Sequence, residues 1–234
     1  MKAIESLSII VPIYNGELFL RDAVQSILNQ SWLPQSFEVL LIDDASNDKS
    51  IEVARSLEKL SKDIRLVALE NNRGVASARN TGIQLAQYEH LAFLDQDDTW
   101  HSSKLELQQS AIKNYRDVDY MLGRQSFSLY QIDQWPQWLN PSWHKAPQKG
   151  WVPGTLIIEK LKFLDVGFFD EKYRHGGDDV DWFVRAHHKK LRYQMLDDVI
   201  LHRKVHALNT SRNTLPSNLE LLKLIKSKLD RSNA

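Results

Sequence analysis

Three carboxylates crowd into four residues at Asp95-Gln96-Asp97-Asp98, directly after the apolar run His90–Leu94. At a strand end, residues two apart point the same way, so Asp95 and Asp97 can face one side together. Two like charges about 4 Å apart repel by ~4 kcal/mol at an effective dielectric near 20, unless a cation lies between them. Oxygen ligands select a hard ion, Mg2+ or Mn2+, of the kind that also binds substrate phosphates. The plainer reading is a solvated turn in which Asp98 or Ser102 caps the next helix. A second acidic pair, Asp43-Asp44, ends another apolar run and suits a base N–H or a ribose, since Ser46 and Asp48 remain to cap the helix that follows. Arg73, just before Gly74, either offers its guanidinium to a base or phosphate near a helix N-terminus or lies solvated on the surface. Asp179 opens a helical pattern, where it is either a general base or a carboxylate favoured by the helix dipole. His202 and His206 have the spacing of a helical zinc pair, but the Glu of that motif is missing and the local pattern is strand or loop.

The elements that position these groups alternate along the first hundred residues. Residues 8–13, 37–42, 64–68 and 90–94 read as strands. Their continuous rather than alternating apolarity suits strands covered on both faces. Between them, residues 17–30, 50–60 and 74–87 carry apolar side chains at helical spacing. Strands alternating with helices indicate right-handed βαβ units and a parallel sheet. Polar residues gather just after the strand ends, at Tyr14-Asn15, Asp43-Asp44, Asn71–Arg73 and Asp95–Asp98, the edge at which open α/β sheets bind ligands. Past residue 100 the pattern loosens. Residues 103–115 read as a helix, 120–132 as one or two strands, 155–158 as a short strand, 159–164 as its continuation towards a turn at Gly167, 179–188 as a helix and 192–201 as a hairpin or paired strands. Residues 133–151 are rich in Pro and Trp and have no period.

The chain has 234 residues, with 30 Lys+Arg against 30 Asp+Glu, so the basic excess of a non-specific nucleic-acid binder is missing. With no cysteine, thiolate metal sites, disulfides and cysteine nucleophiles are excluded. No run reaches the ~18–20 apolar residues of a membrane span, nor does the N-terminus read as a secretion signal; the expectation is a soluble, cytoplasmic protein. Neither a Walker loop nor a Gly-x-Gly-x-x-Gly fingerprint occurs, which disfavours kinases and dehydrogenases. No repeat or linker divides the chain, so a single domain over residues 1–234 is expected.

Taken in order, Ile10–Asn15, Leu41–Ser46, Asn71–Gly82 and Phe93–Asp98 resemble the successive motifs of family 2 glycosyltransferases with the GT-A fold. Gly154, Val166–Glu171 and Gly177–Ala186 resemble that family's acceptor-side segments, and the match runs over residues 6–211. The resemblance implies an α/β, Rossmann-like GT-A domain: a mostly parallel central sheet flanked by helices, with a smaller acceptor-side β element and a C-terminal helix. Residues 1–100 would bind the nucleotide-sugar, 101–211 the acceptor, and 212–234 form a helical tail. It implies an inverting transferase that uses Mn2+ or Mg2+, a nucleotide-diphosphate donor such as a UDP-sugar, and a saccharide, lipid-linked or polypeptide acceptor. Pro12, Tyr14, Asn15, Asp43, Asp44 and Arg73 would line the nucleoside pocket, with Asp95 near the ribose. Asp97 would hold the ion on the diphosphate, with His206 as a further ligand unless it is simply a surface histidine. Asp179 would be the general base. Gly154, Asp178 and Trp182 would stand on the acceptor side, and Asp178 departs from the family's usual Glu, with a shorter reach.

Two segments stay open. Trp135, Trp138, Trp143 and Trp151 either stack on sugar rings or bases, as a lid would, or pin their loop to the core. The tail from Pro216 sets Lys223, Lys226, Lys228 and Arg231 opposite its leucines, for packing on its own domain or for peripheral contact with a membrane or partner. Against the transferase stand a catalytically inactive nucleotide-sugar-binding partner or scaffold protein and a nucleotidyltransferase on a similar sheet. Pure binding has no use for Asp179 in addition to Asp97.

Overall fold

A computed structural model of the chain describes residues 1–115, 117–173 and 176–209. The expected tail helix lies outside them. Strand β1 (Ser6–Ile13) leads to helix α1 (Leu20–Leu28), β2 (Ser36–Asp43), α2 (Ser50–Glu58), β3 (Ile64–Ala68), α3 (Val75–Leu85) and β4 (His90–Phe93), the alternation the sequence predicts. β1 pairs in parallel with β2 and β4, and β2 with β3. The strands need continuous apolar runs because both faces are covered. Ile9, Val11, Val39 and Leu41 pack with Leu20, Val24 and Ile27 of α1 and Leu57 of α2 in one core. Ile10, Leu40, Ile42 and Phe93 pack with Ala76, Ala78 and Ile83 of α3 in the other. Each fully buried Leu, Ile or Val contributes about 1.5–3 kcal/mol. α3 comes closest to the sheet at Gly82, where a Cβ would stand 2.5 Å from Ile10 Cγ2. Pro12 breaks no ladder: Ile10 bonds towards β4 and Ile13 towards β2, so Pro12 faces the β4 side, where pairing has already ended at Ile10–Phe93.

Beyond β4 come β5 (Asp98–Trp100), α4 (Lys104–Asn114), β6 (Tyr120–Leu129), β7 (Gln148–Lys149), β8 (Ile157–Glu159), α5 (Lys160–Val166), α6 (Asp178–His188) and β9 (Tyr193–Val205). All nine strands join one sheet, in the order β3-β2-β1-β4-β8-β6-β9-β5, with β7 beside β6. The sheet is parallel across its first half and mixed across the second: β8 runs antiparallel to β4 and β6, β9 parallel to β6, and β5 antiparallel to β9.

Two local expectations are corrected. All but the first of residues 192–201, expected as a hairpin or paired strands, fall in one 13-residue strand that pairs with β6 and β5 and does not fold back on itself. Asp197-Asp198 looks like a turn, but both residues lie exposed where the register to β6 shifts, and Asp197 accepts from Arg124 at 2.7 Å; a bulge carries the polar pair without ending the strand. Neither Asp98 nor Ser102 caps α4, because Asp98 belongs to β5 and the Lys104 N–H bonds to the His101 carbonyl. Among the described residues, no helix is long and apolar enough to cross a membrane.

Candidate active site

After β4 the chain leaves the sheet as Asp95–Asp97, and Gln96 fixes that loop to the end of β1. Gln96 Oε1 accepts the Tyr14 N–H at 2.8 Å, and its Nε2 donates to the Tyr14 carbonyl at 2.8 Å. Gly16 makes room for this, since a Cβ there would lie 2.2 Å from Gln96 Oε1. Asn15, at φ 51°, ties β1 to the turn after β2: its N–H donates to Ser46 Oγ and its Oδ1 accepts from the Asn47 N–H. Tyr14 itself stands exposed at the rim.

The acidic pair after β2 serves the backbone. Asp43 is 0% exposed; its Oδ2 accepts the Ser46 N–H, and its Oδ1 has no hydrogen-bond partner among the described residues. Asp44, 2% exposed, accepts the N–H groups of Arg73 and Gly74 at 2.9 and 2.7 Å, satisfying donors at the start of α3 that have no helical partner. It thereby sets the position of Arg73. The Arg73 guanidinium lies out in solvent and pairs with Glu171 at 2.9 Å, bridging the two halves of the chain. Asp48 caps locally, its Oδ1 accepting the Ser50 N–H.

β9 closes the site from the opposite end of the sequence. Its antiparallel pairing with β5 sets Arg203 opposite Asp98, with Arg203 Nε 3.2 Å from Asp98 Oδ2. Three residues further, His206 Nε2 lies 3.1 Å from Asp97 Oδ2, and Asn209 Nδ2 donates to the same oxygen at 3.1 Å. His206 Nδ1 accepts the Leu208 N–H, which leaves the ring proton on Nε2, pointing at Asp97. Burial pulls the Asp97 carboxyl upward, but the His206 hydrogen bond and the Arg203 charge outweigh it and hold Asp97 below the usual carboxylate range. Burial pushes Asp98 well above that range, with Arg203 opposing and Asp97 and Asp95 adding to the rise. His202 turns elsewhere, to Ser126 Oγ at 2.8 Å.

Arg79 links the two acidic sides. Buried on α3, it donates to Asp95 at 2.6 Å and to Asp178 at 2.7 Å. Asp178 is buried as well, and burial raises it to about 6 although Arg79 pulls the other way. The expected acceptor-side role of Asp178 is therefore corrected: its carboxylate points inward and anchors the first turn of α6. The next residue, Asp179, is half-buried in that turn, where its Oδ1 accepts the Val180 N–H. Among the described residues its Oδ2 makes no hydrogen bond. Asp98 is the acid in contact with Arg203, and Asp95, Asp97 and Asp179 lie within electrostatic range of it. Burial works against the Arg203 charge, and the four carboxylates outweigh it and raise its pKa.

Two further acceptor-side expectations are corrected. Trp182 is 0% exposed; it stacks on Phe163 at 4.7 Å and donates to the Gly167 carbonyl, because its position on α6 faces the core. Gly154 is buried in a 3-10 turn, where it accepts from Trp100 Nε1 and a Cβ would meet Leu201 Cδ2 at 2.8 Å. Its small size serves packing. Sequence reasoning passed over Gln96, Arg79, Arg203 and Asn209. The one available signal was on α3, where Arg79 and Asn80 sit at helical spacing between buried Ala76 and Ile83, a stripe in which a solvated arginine does not belong.

Among the described residues, no three His, Asp or Glu side chains form a metal cluster. A smaller donor set suffices for Mg2+ or Mn2+ beside a diphosphate, where one or two carboxylates plus substrate phosphates complete the shell. The Asp97 carboxylate, kept ionised, fits that requirement. His206 in its present tautomer donates to Asp97, and it joins as a ligand only if the ring proton moves to Nδ1 and the Leu208 bond breaks.

Acids gathered at the carboxyl ends of parallel strands stand where an open α/β sheet binds its ligands. The family described as Glycosyl transferase family 2 matches residues 8–172, and the chain belongs to it. An uncharacterized glycosyltransferase of Haemophilus influenzae is 44% identical over 102 residues, which cover 44% of this chain and 40% of that protein. One from Rickettsia typhi is 27% identical over 230 residues, covering 92% of this chain and 68% of the relative. Among solved structures, S. aureus TarS 1-349 in complex with UDP-GlcNAc shares the fold, with a TM-score of 0.72 at 20% identity, over 94% of this chain and 66% of that one.

Proposed function

We propose that the chain is an inverting glycosyltransferase that moves a sugar from a nucleotide-diphosphate donor, a UDP-sugar, to an acceptor hydroxyl. The observation that carries this reading is the double ion pair of Arg79, which ties Asp95 to Asp178 and so brings the first turn of α6, with Asp179, to the strand ends where Asp97 stands: a donor-side and an acceptor-side acid at one edge are what transfer requires and binding alone does not. Tyr14, Asn15 and Arg73 face the nucleoside, with Pro12 beneath them; Asp44 holds Arg73 in place and keeps acceptor capacity beyond the two N–H groups it takes. Asp97, with His206 beside it, would hold Mg2+ or Mn2+, which neutralises charge growing on the departing diphosphate. Arg203 adds a fixed positive charge on the same side. Asp179 takes the proton of the acceptor hydroxyl through its open Oδ2, a contribution of about 10²–10⁴ in rate.

A panel of nucleotide sugars with Mn2+ or Mg2+, followed by nucleoside diphosphate release, tests the reading. Turnover requires the metal and is lost in Asp97→Asn. Asp179→Asn binds donor with unchanged affinity and fails to transfer. Wild-type transfer by Asp179→Asn refutes the base assignment, and tight donor binding without turnover for any acceptor points to an inactive binding partner instead.

A further inference from the structure

The tryptophan-rich segment between β6 and β7 does two different jobs. Phe127 on β6 is the anchor for one: Trp143 stacks on it at 5.1 Å, Trp135 meets it edge-on at 6.3 Å, and the Arg203 guanidinium lies over it at 5.7 Å. The segment also braces itself, with Trp135 Nε1 donating to the Asn140 carbonyl and Asn140 Oδ1 accepting from the Ser142 N–H and Oγ. Trp151 is buried in the core. Trp138 takes no part in this. Among the described residues its ring meets no other aromatic ring and its N–H has no acceptor, although it is half-buried. It lines an open hollow of about 550 Å³, together with Trp135 and Pro136, the polar side chains Asp133, Gln134 and Gln137, and the segment at His206 and Ala207.

We propose that this hollow is the acceptor subsite and that it takes a saccharide, with Trp138 as the face on which a sugar ring stacks; this rests on the transferase reading above. Aromatic faces flanked by carboxylate and amide groups match a sugar ring, whose C–H face is apolar and whose edge carries hydroxyls that need both donors and acceptors. A lipid tail would leave Asp133, Gln134 and Gln137 without partners. The hollow borders His206, the partner of Asp97, and none of the residues at the ends of β1 and β2 lines it, so it stands beside the Asp97 edge of the site and apart from the nucleoside side. Because Trp135 and Trp143 already fix the segment, the platform needs little ordering on binding.

The test separates acceptor from donor. Tryptophan fluorescence is titrated with cellotetraose, maltotetraose and chitotetraose in the absence of donor, for wild type, Trp138→Phe and Trp138→Ala. Transfer kinetics follow, with whichever saccharide accepts. A saccharide quenches the wild type, and the quench specific to Trp138 disappears in Trp138→Phe, which still transfers. Trp138→Ala raises the acceptor KM at least about tenfold while the donor KM and metal-dependent donor hydrolysis stay at wild-type values. The proposal is overturned if the acceptor KM is unmoved in Trp138→Ala, if donor and acceptor KM rise together, or if only a lipid alcohol or a peptide accepts. Donor hydrolysis without any saccharide binding overturns this subsite and leaves the transferase reading standing. Saccharide binding through Trp138 without any donor turnover does the reverse.

Discussion

Replacing Arg79 with methionine removes the one cation between two acids and keeps most of the side-chain volume. Its guanidinium bonds Asp178 at 2.7 Å and Asp95 at 2.6 Å, and Asp178 is only 2% exposed, so water cannot replace the lost partner there. Taking one member out of a buried ion pair costs about 3–5 kcal/mol. At ~2–4 °C per kcal/mol for a chain of this size, the melting temperature should fall by roughly 6–20 °C. The pH dependence gives a second handle. Asp178 is already raised to about 6, foremost by burial and against the pull of Arg79, so without Arg79 it rises further. A carboxyl whose folded pKa lies above its unfolded value of about 3.9 binds its proton more readily in the folded state, so the fold gains stability as pH drops through that window. The gap between wild type and Arg79→Met should therefore be widest at pH 8 and narrow by pH 5. Urea titrations at both pH values measure it, and Asp178→Asn in the Arg79→Met background should recover at least half of the loss at pH 8. A deficit under about 1 kcal/mol at pH 8, or no recovery in the double variant, refutes the assignment of Arg79 as the charge between these acids.

Three more outcomes follow from the packing. Gly154→Ala should destabilise by about 1–3 kcal/mol as its methyl group displaces Leu201 and leave the acceptor KM untouched; a changed KM with unchanged stability would restore the acceptor role. Asp44→Ala strands the N–H groups of Arg73 and Gly74, costing about 2 kcal/mol in urea denaturation and raising the donor KM; a neutral result removes Asp44 from the loop's support. Burial takes Lys104 down to about 7 from 10.5, with the Trp100 ring 4.3 Å from its ammonium opposing. The folded chain therefore releases this proton from about pH 7 upward while the unfolded chain keeps it, and stability from this group grows between pH 7 and 10.5. The stability of wild type over Lys104→Met should widen from pH 7 to 9 by at most about 1.4 kcal/mol per pH unit, and parallel curves would refute it.

The first hundred residues were legible because their information is local. Buried parallel strands demand unbroken apolar runs, and the polar residues at their ends stand next to those runs in sequence. What escaped notice depends on contacts across the chain. Arg79 looks like any helical arginine until α6 brings Asp178 to it. Arg203 and Asn209 gain meaning only from the β5–β9 register that seats them beside Asp98 and Asp97. Trp182 and Gly154 sit within acceptor-side motifs, yet the direction each side chain takes is set by its helix or turn, and both turn into the core. The pair Asp197-Asp198 reads as a turn because a bulge that carries two exposed acids within a long strand has no signal of its own.

The distance along the chain between the cleft's acids and their partners has a consequence for the nascent protein. Asp98 and Arg203 are 105 residues apart, Asp97 and His206 109, and Arg79 and Asp178 99. At a translation rate of about 5–20 residues per second, the ribosome finishes the parallel strands roughly 5–20 s before it delivers the groups that balance their carboxylates. During that interval the parallel strands have α1, α2 and α3 against them, while much of the second hydrophobic layer and the partners of Asp97 and Asp98 are still to come. The last strand to be made is the one that settles the charge.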